Sequence, residues 1–133
     1  MSSIDLTPTQ KEELVRILKE ITSLCDLEAI AIVSKEGESL AFFAGKRADP
    51  DLLSAVSAAV LNTGEMVTHR LDHGNLSEMM IRGDKGFTIL SNAGDYILIG
   101  ANRDISAAGI TMRVFRQHTD KIQEILEARY LNP

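Results

Sequence analysis

The residues best spaced for chemistry are two histidines four apart, His69 and His73, in the run Thr68-His69-Arg70-Leu71-Asp72-His73-Gly74. At the end of a helix, with Asp72 between them, they could present a pair of metal ligands. A stable site needs a third and a fourth donor, and the sequence supplies neither nearby. The same run reads more simply as a helix terminus. Gly74 suits a C-cap, and basic side chains there meet the negative end of the helix dipole. No metal is expected.

The other candidates resolve the same way. His118 falls on the apolar side of a helix, where a hydrogen-bonded core or boundary histidine is the simpler reading than a catalytic base. Ser54, Ser57, Ser77 and Ser91 sit in no G-x-S-x-G elbow. Gly83-x-x-Gly86 is too short for a phosphate loop, and Asp84 and Asp95 read as turn residues. Cys25 is the single cysteine, which excludes an internal disulfide and reads as a small core residue. Tryptophan is absent and aromatics make up 5%, so a stacking platform for bases or sugars is not expected. No nucleophile–base pair can be assembled. The chain is therefore read as a non-enzyme without cofactor.

Composition narrows the partner. A length of 133 residues suits one domain, 1–133, with its own core. Net charge of −5 and a pI near 5.1 argue against nucleic acid and against anionic membrane surfaces. Arg103, Arg113 and Arg116 form a local basic group, but Asp104 and Asp120 interrupt it. No apolar run approaches about 18 residues, so no membrane insertion is expected. The start MSSIDLTPTQ lacks the regions of a signal peptide, Ser2 excludes myristoylation, and the ending LNP carries no prenylation box. A protein partner and a cytoplasmic location are the expectations.

The elements that position these residues follow from periodicity. A first helix spans about Pro8 to Cys25, opened by a Thr7–Gln10 capping box, with Leu14, Ile17, Leu18, Ile21 and Cys25 inward. Ala29–Ser34 is a strand buried on both sides, and the turn Lys35–Glu38 returns the chain into Ser39–Ala44. After a second helix come strands Leu76–Arg82, Phe87–Ser91 and Tyr96–Asn102, joined by tight turns. A last helix runs from about Ser106 to Arg129, with Ala107, Thr111, Phe115, His118, Ile122, Ile125 and Leu126 inward. Three hairpins and one helical crossover predict an antiparallel α+β sheet. Placing the most apolar strands centrally gives the order 2-1-5-4-3, with the first and last helices on one face and the second on the other.

The second helix, within Asp49–Thr68, is unusual because Asp51 and Glu65 are its only ionisable residues between 51 and 68. Asp49 reads as N-cap and Pro50 as first helical residue. Leu52, Leu53, Val56, Val60 and Val67 share one face, assigned to the core; Ser54, Ala55, Ala58, Leu61, Asn62 and Glu65 are then outward. Small outward residues permit close backbone approach to a second surface. The third strand falls on an edge with Glu78, Met79, Met80 and Ile81 in a row, and an unprotected edge invites pairing with another chain. These two sets, Ser54, Ala55, Ala58, Leu61, Asn62, Glu65 and Glu78, Met79, Met80, Ile81, are the predicted contacts of a homodimer.

The hairpin AIAIVSKEGESLAFFAG, the helix AAVLNTGEMV and the run LSEMMIRGDKGFTILSNAGDYILIGANRD together resemble the Roadblock family, also called the dynein light chain Roadblock type. The likeness spans about Leu14 to Leu126, and the long last helix looks more like prokaryotic, gliding-motility GTPase-regulator-like members. It implies a profilin-like fold and a homodimer in which second helices pack antiparallel and third strands join into one sheet. It also implies a Ras-like small GTPase as partner, with GTPase activation as one role. An adaptor subunit of a dynein- or Ragulator-like complex is the alternative. The family has no universal functional motif, so no catalytic residue is assigned.

Overall fold

The computed structural model describes residues 6–44 and 49–131. The elements are α1 (Pro8–Leu24), β1 (Ala29–Ser34), β2 (Ser39–Ala44), α2 (Pro50–Arg70), β3 (Glu78–Gly83), β4 (Gly86–Ala93), β5 (Tyr96–Asn102), a 3₁₀ turn (Ile105–Ala107) and α3 (Ala108–Leu131). Every strand pair is antiparallel and the sheet order is β2-β1-β5-β4-β3, as expected. The lead-in at 45–48 and the side chain of Leu52 lie outside the described residues.

Local chemistry fixes the element ends. The Gln10 amide N–H donates to Thr7 Oγ1 at 3.1 Å while Thr7 N–H donates to Gln10 Oε1 at 2.9 Å, the reciprocal capping box. Gln10 Nε2 also donates to the Ile125 carbonyl at 3.0 Å, so the first turn of α1 is tied to α3. Asp49 caps α2 by accepting from Asp51 N–H at 3.0 Å. The β3–β4 and β4–β5 connections are two-residue loops at Asp84-Lys85 and Gly94-Asp95, since Gly83 pairs with Gly86 and Ala93 with Tyr96. β3 begins two residues later than predicted, because Leu76 is spent in a buried contact beneath α2. A register shift between Ile32 and Val33 puts an irregularity into the β1–β2 pairing.

The sheet separates two cores. On one face α1 and α3 pack Leu14, Leu18, Ile21, Phe115, Ile122 and Leu126 against Ile30, Ile32, Ile89 and Leu98. Each such side chain, taken fully from water, contributes roughly 1.5–3 kcal/mol. Gly100 lets this layer close up: a Cβ there would lie 2.5 Å from Phe115 Cζ. The other face packs Ala31, Val33, Leu90, Ile97 and Ile99 beneath α2.

Candidate functional site

α2 lies on its sheet with a face rotated from the one predicted, although Leu53 packs inward as expected. Ser54, Ala58 and Leu61, expected outward, are 1%, 8% and 0% exposed, whereas Val56 and Val67, expected inward, are 49% and 52% exposed. Close approach explains the rotation. Gly37 leads the β1–β2 turn over α2, and a Cβ there would sit 3.7 Å from Ala55 Cα and 3.9 Å from Ala58 Cβ. At the other end a Cβ on Gly64 would meet Met79 Sδ at 2.6 Å. The small residues therefore serve contact inside the subunit, where bulky ones would lift the helix away. Buried Ser57 keeps its hydroxyl satisfied by donating to the Leu53 carbonyl of its own helix. Ala55 and Asn62 are exposed, as expected.

What faces outward is more apolar than the predicted set. Val56, Ala59, Thr63, Met66 and Val67 recur at three- and four-residue spacing and are all exposed. Glu65 turns inward instead: Lys35 Nζ stands 3.4 Å from its Oε1, pinning the β1–β2 turn to α2. That carboxylate oxygen is shielded from solvent and has no hydrogen-bond partner, so the contact is an ion pair alone.

β3 is an edge strand, and its four predicted contacts divide. Met80 and Ile81 are 48% and 45% exposed. Met79 packs on the α2-side core, and Glu78 reaches across to α3, where Arg116 Nε donates to its two carboxylate oxygens at 2.8 and 3.0 Å. That hydrogen bond, and then the carboxylate charge, raise the Arg116 guanidinium above its usual value. Glu78 and Met79 thus have occupations within the subunit.

The histidines take the expected structural roles by a different route. The left-handed residue closing α2 is Asp72, with φ of 57°, rather than Gly74. His73 N–H donates to the Thr68 carbonyl at 2.7 Å and Asp72 N–H to the His69 carbonyl at 3.2 Å, the paired bonds of a Schellman ending. Gly74, at φ of 82°, carries the next turn, and His69 Nε2 lies 3.2 Å from Asn75 Oδ1. Among the described residues no group of three His, Cys, Asp or Glu side chains is arranged to hold a metal. His118 bridges helices, its Nδ1 donating to the Val114 carbonyl at 2.7 Å and its Nε2 lying 3.0 Å from Glu20 Oε2. Cys25 is buried, and desolvation, its largest influence, raises the thiol.

Residues 13–101, well over half of the chain, match the model of the Roadblock/LC7 domain family. The chain belongs to that family. An uncharacterised protein of Methanocaldococcus jannaschii is 25% identical over 108 residues, covering 81% of this Roadblock/LC7 chain and 95% of the relative. Among solved structures, the gliding protein MglB from Thermus thermophilus superposes with a TM-score of 0.87 at 17% identity, over 96% of this chain and 98% of that one. Profilin IB of Acanthamoeba castellanii gives 0.51 at 16% identity, over 77% and 87%, which places the fold among profilin-like sheets. Among the described residues no helix is long and apolar enough to cross a membrane.

The outward stripe of α2 is the feature sequence reasoning missed. A signal for it was present. Val56, Met66 and Val67 are large residues on the arc opposite Ser54, Ser57, Ala58 and Gly64, and a helix pressed to a sheet puts its smallest residues at the contact.

Proposed function

We propose that this Roadblock/LC7 chain is a non-catalytic homodimer that serves as a platform for a Ras-like small GTPase. One observation carries the dimer: the apolar outer stripe of α2 (Val56, Met66, Val67) lies on the same sheet face as Ile81 of the unpaired edge strand β3. A helix stripe of this kind beside an open strand edge is complementary to its own twofold copy. Strand pairing would satisfy the edge amides while helix pairing removes the valines and Met66 from water. The GTPase reading comes from the family likeness and from the MglB neighbour, whose name ties it to gliding. Any effect on hydrolysis would act by biasing the partner's switch segments.

Light scattering at micromolar concentration should report about twice the chain mass of 14.6 kDa. Val56→Glu tests the surface directly, since Val56 is exposed in the subunit and the variant can fold. A variant at Ala58 is a poorer probe because Ala58 is buried on the sheet-facing side of α2. Pull-down with GTP- and GDP-loaded small GTPases, followed by hydrolysis assays with and without the protein, tests the partner. Nucleotide-dependent capture with faster hydrolysis supports an activator. Capture without a rate change leaves an adaptor, and capture of none removes the GTPase reading.

A further inference from the structure

We infer that a polar groove between α3 and the β3–β4 hairpin binds an organic cation, an alkylammonium or guanidinium group. The groove encloses about 550 Å³ and is lined by Ser77, Glu78, Ser91, Arg116, Asp120 and Gln123, among others. Its floor is Ser91, which is 2% exposed. Ser91 pairs with Glu78 on one side and with Leu98 on the other, and Leu98 belongs to the core beneath α1 and α3. Its side chain therefore points to the α3 side. The Ser91 hydroxyl oxygen is buried with no hydrogen-bond partner. Buried polar atoms are rarely left unpaired, so this hydroxyl, aimed into the groove, marks a place for a hydrogen-bonding partner, and its free lone pairs accept from a donor.

Charge selects the donor. Glu78 and Asp120 outnumber Arg116 by one, and the Arg116 fork is already held by Glu78. Asp120 has no ion-pair partner among the described residues. An anion entering here would meet two carboxylates, and an apolar group would leave the buried Ser91 hydroxyl unpaired. A cation with several N–H groups can donate to the Ser91 hydroxyl oxygen and face Asp120. The same chemistry could arrive as a basic side chain of a partner protein or as a free small amine. The groove lies on the α3 side, away from the outward stripe of α2, so the oligomeric state does not decide this inference.

The test is an amide NMR titration of the intact protein with agmatine, with a Gly-Arg-Gly peptide blocked at both ends, and with N-acetylglutamate as the anionic control. Saturable shifts confined to Ser91, Asn92, Asp120 and Gln123 from the two cations are expected. Tighter binding of the peptide assigns a protein source, and tighter binding of agmatine a free amine. Asp120→Asn, at an exposed position, should weaken both by about fivefold. Ser91→Ala should weaken binding while raising the melting temperature of the free protein, because it removes the unpaired hydroxyl. The dispersion of each variant's spectrum verifies folding. Absence of saturable shifts from both cations, equal shifts from the anion, or wild-type affinity in folded Asp120→Asn overturns the inference.

Discussion

The two faces of the sheet are built on different terms. Under α1 and α3 the contact is thick: bulky aliphatic side chains and Phe115 from both helices interlock with the strands. Under α2 it is thin: among the described residues Leu61 is the one α2 side chain in the buried cluster, with Leu53 partly buried beside it. Small residues fill the rest of that contact, and the large ones point away. A helix that spends its bulky residues outward gains little from its own sheet. Its fit to the subunit is set by close approach, and its hydrophobic surface is available elsewhere.

Truncation of the largest buried ring should show the asymmetry most strongly. Phe115→Ala is expected to cost about 3–5 kcal/mol in denaturant unfolding, against about 2 kcal/mol for Leu61→Ala. Equal losses would erase the distinction between the faces. The two close-approach glycines sharpen it. Gly100→Ala drives a methyl into Phe115 within the thick layer and should cost about 1–3 kcal/mol. Gly64→Ala meets the flexible end of Met79 at the sheet edge and gains about 1 kcal/mol of helix propensity, so its net effect should be near zero.

Val56→Glu is the converse probe. Because Val56 contributes little to its own subunit, the stability of the isolated subunit should change by less than about 0.5 kcal/mol while the light-scattering mass falls by half. A large loss of subunit stability would mean that the stripe is part of the core after all. The smallest expected effect is at Cys25, on the thick face. Its folded thiol is raised, so the folded chain holds that proton to higher pH than the unfolded chain. The associated stability is complete below the unfolded thiol's value and declines as pH rises through it. Cys25→Ala should flatten that alkaline decline in an unfolding series, and alkylation of the wild type should be slow until the protein unfolds.

The strand order, the capping box, the inward stripe of α3 and the edge position of β3 were all legible in the sequence. They depend on strong local signals: continuous apolar runs for β1 and β5, Thr7 with Gln10, and a stripe anchored by Phe115 and Ile122. The rotation of α2 was not legible from hydrophobicity, because Val56 and Val67 outrank Ser54 and Ser57 on any transfer scale. What decides it is steric, through Gly37 on one side and Met79 on the other, both distant in sequence from the residues they select. The ion pairs Lys35–Glu65 and Arg116–Glu78 were hidden for the same reason: each joins elements whose proximity is set by the tertiary fold.

The misaligned register between β1 and β2 bears on how far growth can go. At that end the outermost strand follows a bulged pairing, which twists it and spoils it as a template. The opposite border is regular along its full pairing with β4. A sheet able to accept a neighbour on one border only closes after two copies, so crowding or high expression should give a finite particle and not a fibre.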